Sequence, residues 1–80
     1  KKLTKSLNQD SELQTMCENF KNLRLQRNLS IRELSRLTKV SVYMLKSLEQ
    51  GIVPPRFGVN AFLRLCTFYQ IPPDKIFRPL

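Results

Sequence analysis

The residues best suited to recognition chemistry lie in the stretch 41–50, SVYMLKSLEQ, where polar and aromatic side chains alternate with apolar ones at helical spacing. On a helix, the methionine and leucines form an inner face and leave one outward face. There, a lysine can donate to guanine O6 or N7, a serine to several base edges, and valine or tyrosine can contact a thymine methyl. The alternative is an ordinary solvated helix face. The outward residues are Val42, Tyr43, Lys46, Ser47 and Gln50.

The composition contains few of the residues that catalysis, metal binding or a phosphate-binding loop would need. The chain has no histidine, which removes the commonest general base and the Ser-His and Cys-His nucleophile pairs. Cys17 and Cys66 lie in apolar helical stripes without a CxxC spacing, so we expect reduced core residues and no metal site. Two glycines, Gly51 and Gly58, are too few for a glycine-rich phosphate loop. We therefore expect no enzymatic activity and no cofactor.

The charge balance favours a polyanionic partner. The 80 residues include 14 Lys and Arg against 6 Asp and Glu, a net charge of +8, and most of the excess falls between residues 19 and 56. Such an excess suits nucleic acid or an anionic membrane surface, although many small soluble proteins are basic without binding a polyanion. We recognise no signal peptide and no apolar run of the roughly 18 residues that a membrane span needs. We therefore expect no membrane association.

The pattern along the chain predicts one all-α domain. Eighty residues leave no room for a second domain. Residues 1–10 are polar and basic, which favours a flexible N-terminal arm, and the domain proper occupies residues 11–80. Asp10 or Ser11 can cap the first helix. The helices are expected at about 11–27, 30–38, 42–50 and 58–69, with a short fifth helix within 71–77.

Capping residues and apolar positions indicate where the short helices begin and what they bury. Ser30 and Glu33 have the S-x-x-E spacing of a capping box, and Ser41 can cap the third helix. On the second helix, Leu34 and Leu37 are the expected buried positions. Two short helices separated by a few residues, the second with a polar and aromatic outer face, have the spacing of a helix-turn-helix.

With these elements in place, the sequence resembles the Cro and phage-repressor (Xre-type) family of helix-turn-helix domains. The resemblance spans about residues 13–77 and rests on the patterns L-S-x-x-E-L-S at 29–35, T-K-V-S at 38–41 and L-x-x-L-E-x-G at 45–51. It implies a lambda-repressor-like five-helix bundle that places its third helix in the major groove of double-stranded DNA. It further implies a cytoplasmic transcriptional regulator, bacterial or phage-encoded, that represses transcription and binds DNA as a homodimer.

The resemblance also implies roles for individual residues. Ser30 and Arg32, at the start of the second helix, are expected to contact DNA phosphates, because a helix N-terminus favours an anion. Arg56, in the loop after the third helix, is expected to contact another phosphate. The positions that contact bases in the family fall on Ser41, Val42, Tyr43, Lys46 and Ser47.

The resemblance also implies one ion pair between two helices. In the family the position of Glu49 pairs with a basic residue of the first helix, here Arg24, and a bidentate pair would hold the third helix to the bundle.

Two residues depart from the family pattern. Ile31 replaces a common phosphate-binding glutamine. Lys39 replaces a common glycine of the turn, where a left-handed lysine costs on the order of 1 kcal/mol. These departures leave an alternative open: an antitoxin-type protein-interaction module with weak or secondary DNA binding.

Overall fold

The computed structural model describes the backbone of residues 2–80 and the side chains of residues 11–80, and within this part it contains helices and no strand. The all-α prediction is therefore confirmed, but the fifth helix is only a 3₁₀ turn. Its backbone hydrogen bonds run from the Lys75 N–H to the Pro72 carbonyl (2.9 Å) and from the Ile76 N–H to the Pro73 carbonyl (3.4 Å), and this three-residue spacing defines a 3₁₀ turn and not an α-helix. None of the described helices is both long and apolar enough to cross a membrane. The elements are α1 (Lys2–Gln26), α2 (Ile31–Thr38), α3 (Val42–Glu49), α4 (Val59–Tyr69) and the 3₁₀ turn Pro73–Lys75.

Helix α1 begins at Lys2 and not near Ser11. Ser11 therefore lies inside the helix instead of capping it, and its carbonyl accepts a hydrogen bond of 3.0 Å from the Thr15 hydroxyl. The backbone of residues 2–10 is helical where the sequence predicted a flexible arm, because this stretch contains no proline or glycine to interrupt the helix. Lys1 and the side chains of the predicted basic arm lie outside the described residues.

The predicted caps at the two short helices are confirmed. The Glu33 N–H donates to the Ser30 hydroxyl (3.0 Å), and the Ser30 N–H donates to the Glu33 carboxylate (2.9 Å). That backbone hydrogen bond lowers the pKa of Glu33 below its ordinary value. At the start of α3, the Ser41 hydroxyl accepts a hydrogen bond of 3.1 Å from the Met44 N–H. Asn28 follows α1 in the left-handed conformation with φ at 56°, as expected at a helix end.

Helix α2 buries a different residue from the one predicted. Leu34 is buried as expected, but the Leu37 side chain is 51% exposed and Thr38 is only 5% exposed. The Thr38 hydroxyl donates to the Leu34 carbonyl (2.7 Å) and accepts from the Val40 N–H (3.3 Å). Because both hydrogen bonds are satisfied, the threonine can occupy the core position, and the inner face of α2 follows a four-residue step.

The core contains buried side chains from all four helices, and a buried asparagine of α1 holds the C-terminal segment against it. The Asn19 side-chain amide donates to the carbonyls of Ile76 (2.7 Å) and Arg78 (2.8 Å), which fastens the last segment onto α1. Both cysteines are buried with free thiols, and burial raises the pKa of each. The buried hydrophobic residues are Met16, Cys17, Phe20, Leu34, Val40, Leu45, Leu48, Leu65, Cys66, Tyr69 and Ile76.

Tyr69 places a polar atom in this core. Its ring packs beside Phe20 with the centroids 6.3 Å apart, and the Arg27 guanidinium lies 5.2 Å from the Tyr69 ring centroid. The buried hydroxyl has no hydrogen-bond partner within the described part of the chain. Burial, and then the nearby Glu49 carboxylate, raise the pKa of Tyr69 from 10.0 to about 12, against the opposing effect of Arg24 and Arg27.

Replacing Tyr69 by phenylalanine should stabilise the domain. We expect Tyr69→Phe to raise the free energy of unfolding by about 1 kcal/mol at neutral pH, because it removes a buried hydroxyl without a partner. The wild type should also lose stability that the variant keeps as pH rises from 10 towards 12, because the unfolded chain ionises its phenol before the folded state does. Urea denaturation at neutral pH measures the first effect, and urea denaturation between pH 10 and 12 measures the second.

Tyr43→Phe is the matched control, because it removes the hydroxyl of an exposed tyrosine and should change neither quantity. A Tyr69→Phe variant less stable than the wild type at neutral pH would show that the hydroxyl makes a favourable interaction in solution.

Candidate nucleic-acid interface

The outward face of α3 is the candidate recognition surface. Leu45 and Leu48 are buried against the bundle, and α3 packs on α1 and α2. The opposite side of the helix therefore faces solvent, where Tyr43 is 69% exposed and Lys46 is exposed. Of the other three predicted base contacts, Ser41 is exposed, whereas Val42 and Ser47 are half-buried. Together they form one continuous surface along the first turns of α3.

An ion pair fixes α3 to the long first helix. The Arg24 Nε donates to Glu49 Oε2 at 2.6 Å and Nη2 donates to Oε1 at 2.8 Å, so the pair is bidentate. Arg24 Nη1 also donates to the Leu29 carbonyl at 2.6 Å. The two side chains are only 13% and 10% exposed, and the hydrogen bond to Glu49 raises the pKa of Arg24 despite its partial burial. One guanidinium thus joins α1, the loop before α2, and the end of α3.

A second side chain of α1 holds the segment that follows α3. The Gln14 amide donates to the Gly51 carbonyl at 2.8 Å. Gly51 has φ at +83°, so the position favours glycine for its backbone conformation, and a Cβ there would displace the Gln14 amide, whose Oε1 would lie 2.7 Å away. The C-terminal end of α3 is therefore fastened by two side chains of α1, while its N-terminal end is left at the surface.

The predicted phosphate-contacting residues lie on two separate parts of the surface. Ser30 and Arg32 are exposed at the start of α2, and Arg56 is exposed in the loop between α3 and α4. Neither arginine is in an ion pair with any described side chain. Ile31, at the position of the family's common glutamine, is half-buried and packs against the core. It contributes to stability there, and the polar side chains of that helix start are Ser30, Arg32 and the capping-box residue Glu33.

The structure brings two basic residues that the sequence did not predict as contacts, Lys39 and Arg64, beside the predicted contact Arg56. Lys39, Arg56 and Arg64 line one cleft of about 510 Å³ between the N-terminal ends of α3 and α4, here called the basic cleft. Lys39 adopts the left-handed conformation with φ at 67°, and Arg64 Nη1 lies 3.4 Å from the Lys39 carbonyl oxygen. In the sequence, Lys39 stands out because it is charged and because it replaces the glycine that is common in the family's turn. No short-range pattern links it to Arg64, which comes from a different helix.

Comparison with known proteins agrees with this geometry. A family model described as a helix-turn-helix domain matches residues 18–76, which is most of the chain. The chain therefore belongs to the helix-turn-helix domain family, as the resemblance predicted, and this family suggests a DNA-binding regulator. No curated protein and no solved structure matches the chain.

Breaking the ion pair should destabilise the domain. We expect Glu49→Gln to lower the free energy of unfolding by about 2 kcal/mol, because it leaves a largely buried guanidinium without its counter-charge. Arg24→Gln should cost at least as much, since it also loses the hydrogen bond to the Leu29 carbonyl. Denaturation of both single variants and the double variant measures the coupling, which we expect to exceed about 1 kcal/mol.

Glu12→Gln provides the control, because it removes an exposed carboxylate of α1 that lies in no described ion pair. Additive losses from the two single variants would contradict the assigned role of the pair.

Proposed function

We propose that the chain is the DNA-binding domain of a transcriptional regulator and that α3 enters the major groove of double-stranded DNA. The observation that carries this proposal is the exposed Tyr43 and Lys46 on a helix whose other face is anchored to the bundle. Here a large exposed aromatic ring lies beside a lysine that is in no ion pair with a side chain of residues 11–80. Both side chains suit base edges, since lysine donates to guanine and an aromatic ring contacts a thymine methyl.

The surrounding residues complete a coherent binding surface in this proposal. Ser41, Val42 and Ser47 lie beside the two central side chains and add a hydroxyl, a methyl group and a second hydroxyl to the base contacts. Ser30 and Arg32 contact phosphates from the start of α2, where the helix dipole favours an anion. Arg56 contacts the backbone on the other side of α3.

We further propose that the regulator acts as a repressor and binds as a homodimer. One recognition helix specifies too few base pairs to select a site in a genome, so two copies on half-sites about one helical turn apart are needed. In this proposal, residues 11–80 form the binding domain. Leu80 is exposed and is a candidate for the dimer surface, whereas Tyr69 and Ile76 are buried in the core.

A second candidate function is an antitoxin-type protein-interaction module. Its support is the exposure of Leu37 (51%) and Leu63 (41%), which line a shallow groove between α2 and α4. Exposed leucines in one groove are typical of surfaces that bind proteins. The double variant Tyr43→Ala and Lys46→Ala separates the two functions, since it should abolish duplex binding and leave binding to a protein partner intact.

Selection from a random duplex pool tests the leading proposal. We expect enrichment of a pseudo-palindromic site, with binding that weakens as salt rises by a slope of about −0.9 per phosphate contact. Lys46→Ala or Tyr43→Ala should weaken binding to the selected duplex by about tenfold or more and reduce the preference over a scrambled duplex. Fluorescence anisotropy at fixed salt measures both affinities.

Lys75→Ala is the matched control, because Lys75 is an exposed lysine on the 3₁₀ turn, outside the proposed interface. A flat salt response with no enriched sequence would refute DNA recognition and direct attention to the protein-interaction module.

A further inference from the structure

We propose that the basic cleft binds one phosphate of the DNA backbone, held jointly by Lys39, Arg56 and Arg64. The inference rests on the proposed function and deepens it. Of the three residues, only Arg56 is a predicted phosphate contact from sequence. The other two come from the turn between α2 and α3 and from the middle of α4, and the fold brings them to the same cleft.

The charge within the cleft is uncompensated. No Asp or Glu side chain lines it, and none of its three cationic side chains is in an ion pair with any side chain of residues 11–80. Three positive charges around one cavity repel one another, and a bound anion relieves that repulsion. Arginine offers several N–H donors in a planar arrangement, which matches the oxygens of a phosphate group.

The first residues of α4 line the same cleft. Gly58 is the N-cap residue of α4 and provides no side-chain cap. The Phe62 N–H donates to the Gly58 carbonyl at 3.1 Å, so the amides of residues 59–61 precede the helical hydrogen bonds. All three of those residues line the cleft. Their N–H groups and the positive end of the helix dipole favour an anion at this place.

The conformation of Lys39 supports the same assignment. Lys39 follows α2 with φ at 67°, a conformation that glycine adopts without steric cost and lysine does not. Its N–H donates to the Ser35 carbonyl at 2.8 Å, and its own carbonyl lies 3.4 Å from Arg64 Nη1. A lysine here is unfavourable for the backbone and gains no ion pair within the described residues. Its side-chain charge adds to those of Arg56 and Arg64, which line the same cleft.

The position of the cleft fits a backbone phosphate beside the groove. Ser41 and Met44, in the first turn of α3, line the cleft together with the cations. A phosphate bound there would lie within about one helical turn of the residues proposed to contact bases. Such a contact carries no sequence information, but it fixes how deep and in which register α3 enters the groove.

The experiment compares Lys39→Gly and Arg64→Gln with the wild type on two duplexes of about 30 base pairs, one selected and one scrambled. Each variant should weaken binding to both duplexes by about the same factor, roughly tenfold at 0.1 M salt, and flatten the salt slope by about 0.9. Lys39→Gly should also melt at a temperature at least as high as the wild type, because glycine tolerates the left-handed conformation. Lower affinity without lower stability separates anion binding from a structural role. Lys75→Gln is the control.

Neutral methylphosphonate groups then locate the phosphate. Replacing one backbone phosphate of the selected duplex should weaken wild-type binding by about the same factor, and on that duplex Arg64→Gln should cause no further loss. Unchanged affinity in Lys39→Gly and Arg64→Gln, or losses that add at every methylphosphonate position, would overturn the inference. The proposed function fails differently: it is refuted if Tyr43→Ala and Lys46→Ala do not reduce the preference for the selected duplex.

Discussion

The orientation of α3 depends on the ion pair between Arg24 and Glu49. Helix α3 has eight residues and a length of about 12 Å, which is too short to be stable outside the bundle. Leu45 and Leu48 bury the apolar face of α3, but burial of apolar surface is not directional. The bidentate pair is directional, because two parallel hydrogen bonds define the orientation of the guanidinium plane. The third bond, to the Leu29 carbonyl, ties the loop before α2 to the same group.

This anchoring divides α3 into a fixed end and an available end. Gln14 and Arg24, both on α1, hold the chain at Gly51 and at Glu49, so the C-terminal end of α3 cannot move independently of α1. The N-terminal end is capped by the Ser41 hydroxyl, and Ser41, Tyr43 and Lys46 near that end are exposed. Side chains near that end are therefore free to meet a ligand while the helix stays rigid, which is the arrangement that a recognition surface requires.

Local sequence signals predicted the parts of the fold that depend on neighbours along the chain. Ser30, Glu33 and Ser41 act within three residues of their partners, so their spacing was sufficient. The pairing of Arg24 with Glu49 followed from the register of a family and not from local pattern. Leu37 and Thr38 show the limit: hydrophobicity alone favoured the leucine for the core, whereas the satisfied hydroxyl of the threonine decides the packing. The basic cleft joins separate segments, so only the three-dimensional structure could reveal it.

Lys39 shows how folding and binding place opposing demands on one position. The turn between α2 and α3 requires a left-handed residue, and lysine occupies it at a cost on the order of 1 kcal/mol relative to an unstrained backbone. Small domains have only about 5–15 kcal/mol of total stability, so this cost is appreciable. The bundle can sustain it because the ion pair, the capping box and the Asn19 hydrogen bonds act elsewhere in the fold. The backbone at this turn favours glycine, whereas the anion chemistry of the adjoining cleft favours lysine, and the charged residue is the one present.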